Sequence, residues 1–75
     1  MTDAERQFLW GQYPEARKMY EEFNGILLED DPGWERLVAR SHEIQELYAG
    51  NKAVEAALLD VAAQLEKLAR KRRYG

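Results

Sequence analysis

The stretch NKAVEAALLDVAAQLEKLARKRR, residues 51–73, decides the fold. Within it Val54, Leu58, Val61, Leu65 and Leu68 recur at intervals of four and three, which keeps one apolar seam along one side of a helix. Ala53, Ala56, Ala57, Ala62, Ala63 and Ala69 fill in around the seam, and alanine is the strongest helix former. Neither Gly nor Pro interrupts the stretch, and its first half carries little polar surface beyond Glu55, Asp60 and Gln64. A helix that is apolar on more than one side is usually covered by more than one neighbour. The stretch therefore reads as the central post of a small helical bundle.

The residues before it supply the neighbours. Asn51 suits the N-cap of this last helix, and Gly50 suits the left-handed position that closes the helix before it. That third helix is predicted from Pro32 to about Tyr48, with Asp31 as its N-cap and Pro32 at its first position. It carries Trp34, Leu37, Val38, Ile44, Leu47 and Tyr48, and the short link makes helices three and four antiparallel neighbours. Further back, Leu9, Tyr13, Ala16, Tyr20, Phe23 and Leu27 follow a 4-3-4-3-4 spacing straight through Pro14. This predicts a short helix over residues 3–12 and a second over 14–28, stacked or kinked at the proline. Thr2 and Glu5 have the spacing of a capping box at the start of the first. The fold class is all-α: one domain, residues 1–75, an antiparallel bundle of three main helices plus a short N-terminal one.

At 75 residues such a domain is marginally stable unless something else reinforces it. The chain has no Cys and a single His, which excludes disulfides, thiolate metal sites and a multi-histidine site within one chain. Oligomerisation is the device that remains. Hydrophobic content of 45% and charged content of 33% fit an ordered protein. No apolar run reaches the ~20 residues that span a bilayer, and no secretory pattern opens the chain, so no membrane role and a cytoplasmic setting are expected. The net charge of −3 is unevenly spread: residues 1–35 hold nine acids against three bases, and residues 36–75 hold five against eight.

Four of those bases are consecutive, Arg70, Lys71, Arg72 and Arg73. Clustered bases contact nucleic-acid phosphates, but at a helix C-terminus they also complement the dipole. With no second basic patch in an acidic chain, the helix-end role is preferred and nucleic-acid binding is the alternative. Glu43 and Glu46 on helix three, followed by Leu58, Leu59, Asp60 and Val61 on helix four, resemble the all-α nucleotide pyrophosphohydrolases of the MazG type. The resemblance covers residues 43–61 and implies a Mg²⁺ site built from E-x-x-E and E-x-x-D. The chain departs from that pattern at Ala57, where the third carboxylate belongs. His42 and Ser41 are adjacent on a helix and point about 100° apart, which does not make a catalytic pair. No Gly-rich phosphate loop is present. The sequence thus points to a non-enzyme without cofactor or metal.

What remains is surplus apolar surface. Ala56, Leu59 and Ala63 form a second, narrower stripe on helix four, away from the main seam. Phe8, Leu9 and Trp10 are successive and do not all face one core, so Trp10 is a second candidate for partner contact. The expected function is a protein–protein interaction or regulatory module. It would act as a homodimer through helix four, with an unidentified protein as a further partner. The competing expectation is that the helix over residues 3–12 folds back and covers the Leu59 stripe within one chain.

Overall fold

The computed structural model describes residues 1–75. Four helices follow one another without a strand: α1 (Asp3–Gln12), α2 (Pro14–Phe23), α3 (Asp31–Leu47) and α4 (Lys52–Tyr74). The all-α bundle expected from the sequence is the fold observed.

Each helix starts where its local chemistry dictates. Thr2 and Glu5 form the capping box of α1, each side chain bonding the other's backbone N–H. Asn51 Oδ1 accepts from the amides of Ala53 and Val54 to start α4. Gly50, at φ 78°, takes the left-handed turn just before it.

At α3 the N-cap is Asp30 rather than the predicted Asp31, which moves Pro32 to the second helical position. Asp30 Oδ1 accepts from the Gly33 amide at 3.0 Å. Gly33 is buried under this cap, and a Cβ there would stand 2.3 Å from Asp30 Oδ2 and 3.1 Å from Ile26 Cδ1. Only a residue without a side chain leaves the cap in place. Helix α2 stops at Phe23, short of the predicted residue 28. Residues 24–30 form a corner instead, which buries Ile26 and leaves Leu27 half exposed.

Long-range bonds set the directions of the helices. Asn51 Nδ2, at the start of α4, donates to Tyr13 Oη at the start of α2, and Arg72, at the end of α4, reaches the carbonyls just past α2. Helices α2 and α4 therefore run parallel. Tyr48, past the end of α3, bonds Glu15 at the start of α2, so α3 runs against both. Helix α1 folds back at Tyr13, so that Arg6 meets Asp60 and Trp10 lies on Tyr20. The sequence predicts a stacked or kinked continuation at Pro14, and the chain reverses there instead. A single residue suffices because Pro14 starts a new helix without needing the amide it lacks.

Helices α2 and α4 each touch all three others, whereas no Cα of α1 comes within 8 Å of one of α3. The result is an up-down-up-down bundle closed along its α2–α4 diagonal and only 16 Å thick between Cα atoms. The core is one cluster: Ala16, Met19 and Ile26 from α2 and its corner, Leu37 and Ile44 from α3, and Val54, Ala57, Leu58, Val61 and Leu65 from α4. Leu68, at the end of the predicted seam, is half buried, and α1 contributes no fully buried residue.

The cap assignment yields a test. Asp30→Ala should lower stability by about 1 kcal/mol, a fall of roughly 4–8 °C in Tm for a domain of this size. Asp31→Ala should stay within about 0.5 kcal/mol of wild type. Thermal unfolding followed by circular dichroism separates the two, and the reverse order would return the cap to Asp31.

Candidate interaction surface

The outer side of α4 carries Ala56, Leu59 and Ala63, all exposed. Leu59 is 70% exposed, the highest value of any Leu among the large exposed hydrophobics. Helix α1 does fold back, but onto the adjoining side of α4. Arg6 Nε donates to Asp60 Oδ2 at 2.7 Å and Arg6 Nη2 to Asp60 Oδ1 at 3.2 Å, a fork whose side chains are only 15% and 11% exposed. The Arg6 guanidinium pKa is raised, first by this bond to Asp60, so its charge persists wherever the chain folds. One residue along a helix turns about 100°, so Leu59 looks past α1 into solvent. Intrachain cover of the stripe, the competing expectation, is not what the fold shows.

Charged residues frame the stripe. Lys52 and Glu55 lie toward its start and Glu66, Lys67 and Arg70 toward its end, all exposed. Arg70 Nη2 sits 2.8 Å from Glu66 Oε1, while Lys52 makes no ion pair. The alanines on either side of Leu59 leave room for another helix to approach closely.

Trp10 is placed differently from a free contact residue. It is half buried against the core, its ring 5.2 Å from that of Tyr20, and its Nε1 is enclosed without an acceptor in the chain. Of the three successive apolar residues, Phe8 is the one turned outward, at 65% exposure. The signal for it was present in the spacing. Met1, Ala4, Phe8 and Gly11 recur at three, four and three, and all four are exposed.

The basic run is largely occupied. Arg70 pairs with Glu66, and Arg73 Nη1 lies 3.8 Å from Glu29. Arg72 donates to the carbonyls of Ile26, at 3.2 Å, and of Asn24. These carbonyls belong to the corner where α2 ends, and Trp34 Nε1 binds the next two, Leu27 and Leu28. Only Lys71 of the four bases has no partner.

The carboxylates do not converge. Asp60 is taken by Arg6, Glu43 lies 3.2 Å from Arg40, and no three Asp, Glu or His side chains are grouped to hold a cation. His42 is exposed. Between α2 and α3 an open cleft of about 490 Å³ and a neighbouring one of about 290 Å³ share Glu22 and Arg40 in their walls. Arg40 is already forked by Glu22 and bonded to Glu43.

A polar cluster joins the other ends of the helices. Tyr48 Oη donates to Glu15 Oε1 at 2.5 Å, and the rings of Tyr13 and Tyr48 meet edge to face at 5.3 Å. The bond lowers the Glu15 pKa below the ordinary carboxylate value and raises that of the Tyr48 phenol. No family model, curated protein or solved structure matches the chain.

The Tyr48–Glu15 bond needs Glu15 ionised and Tyr48 protonated. Its stabilisation is complete above the ordinary carboxylate pKa and is lost as pH falls through the lowered folded value. At the alkaline end it is lost as pH rises through the raised Tyr48 value. Tyr48→Phe should therefore flatten the acid limb of the stability–pH curve below about pH 5. Urea titrations at stepped pH read this directly, and parallel acid limbs would contradict it.

Arg72 generates a second expectation. Arg72→Gln should cost about 1–2 kcal/mol, since charge-assisted bonds to backbone carbonyls are lost. Lys71→Gln should change stability by less than about 0.5 kcal/mol. Equal effects in denaturant titrations would mean that the Arg72 clamp does not form in solution.

Proposed function

We propose that this chain is a small, non-catalytic protein–protein interaction module that pairs with a second copy of itself through the outer face of α4. The observation that carries the reading is Leu59, 70% exposed between Ala56 and Ala63 on a face that no other helix of the chain covers. Two further facts support it. The accessible surface of 5138 Å² exceeds the about 4,800 Å² usual for a folded monomer of this mass. Only 12 of the 75 residues are buried, which leaves a domain that gains from burial between chains. Full burial of Leu59 contributes roughly 1.5–3 kcal/mol per chain. No helix is long and apolar enough to cross a membrane; a cytoplasmic setting is part of the proposal.

Nucleic-acid binding through residues 70–73 is the weaker reading, because Arg70, Arg72 and Arg73 are engaged within the chain. Light scattering coupled to size exclusion should give a dimer mass for the wild type at ~100 μM, well above the micromolar range of weak specific complexes. Leu59→Glu should elute as a monomer with unchanged helicity. A monomeric wild type at that concentration would remove the self-association reading.

A further inference from the structure

Resting on that reading, we infer that the two copies of α4 pair antiparallel, with Leu59 meeting Leu59 of the second copy at the two-fold axis. Charge placement on the exposed face favours this arrangement. Lys52 and Glu66 stand seven residues before and seven residues after Leu59. Seven residues make about 10 Å of helix and fall about 20° short of two full turns, so both lie almost in line with Leu59.

A parallel pairing sets every group on this face against its own copy: Lys52 on Lys52, Glu55 on Glu55, Glu66 on Glu66 and Arg70 on Arg70. Like charges placed directly opposite are unfavourable. An antiparallel pairing centred on Leu59 sets Lys52 of each chain against Glu66 of the other, twice by symmetry. Lys52 has no ion-pair partner within its own chain, and the Glu66 carboxylate, held by Arg70, has an oxygen to spare. Around the axis Ala56 then falls opposite Ala62, and Ala63 opposite Glu55. Apart from Glu55, which meets an alanine, the side chains around the two leucines are alanines on both chains, and the helices can close on them. The face is a single helix wide, so a transient dimer with micromolar dissociation is expected rather than an obligate one.

The experiment uses two single charge reversals of the full chain, Lys52→Glu and Glu66→Lys. Each alone sets like charges together in the antiparallel dimer and should weaken self-association about tenfold, the combined effect of two exposed pairs reversed. Mixed in equal amounts, the two variants become complementary at both ends. They should form a mixed dimer with close to wild-type affinity, detected by light scattering or by fluorescence transfer between labelled chains. Circular dichroism of each variant checks that the fold is kept. A wild type that dimerises, is disrupted by Leu59→Glu and is indifferent to both reversals would overturn the antiparallel arrangement while leaving the self-association reading intact. A wild type that stays monomeric at ~100 μM overturns both.

Discussion

One strip of side chains on α4 carries the whole molecule. Val54, Ala57, Leu58, Val61, Leu65 and Ala69 are all buried, and α1, α2 and α3 each lean on the helix that bears them. A single strip serving three neighbours forces a particular geometry. Helices α2 and α4 close on each other across the bundle, and α1 and α3 are pushed to opposite flanks. The core that results is one side chain deep, and no titratable side chain lies fully inside it. Apolar burial is consequently modest, and much of the definition of the fold falls to bonds at the helix ends.

Those bonds fall into two groups at the two ends of the α2–α4 pair. At one end, Tyr13, Glu15, Tyr48 and Asn51 tie together the starts of α2 and α4 and the end of α3. At the other, Arg72 and Trp34 bind four backbone carbonyls of the 24–30 corner, those of Asn24, Ile26, Leu27 and Leu28, and Asp30 caps the helix that follows. A corner of seven residues without helix or strand has to place its carbonyls somewhere. Here side chains from α3 and α4 take them. The basic run at the end of α4 therefore has a structural task that its composition alone does not reveal.

The same economy shapes the outer surface. Helix α1 is spent on the Asp60 side of α4, where the Arg6 fork holds it, and cannot also cover Leu59 one residue away. A chain with three helices to place around a fourth leaves one side of that fourth helix open. Leu59 with its flanking alanines occupies that side, and so the stripe becomes a surface rather than a second core.

The sequence by itself determined the number of helices, their order and most of their starts. These depend on neighbours within four residues: the spacing of Val54, Leu58, Val61 and Leu65, the Thr2–Glu5 box, and Gly50 before Asn51. It also separated the Leu59 stripe from the main seam, since both are helical spacings. Tertiary structure decided everything that joins residues far apart in the chain. The sequence favours Asp31 as the cap because Pro32 follows it, and the fold moves the cap to Asp30, against which Gly33 settles. Helix α2 ends at Phe23 because burying Ile26 in the shared core and clamping the corner with Arg72 outweigh continuing the helix to Leu27. Arg6 and Asp60 are 54 residues apart and Arg72 and Asn24 are 48 apart, and no local spacing encodes such pairs. Which side of α4 was left uncovered followed from where α1 came to rest, a consequence of packing three helices around one strip.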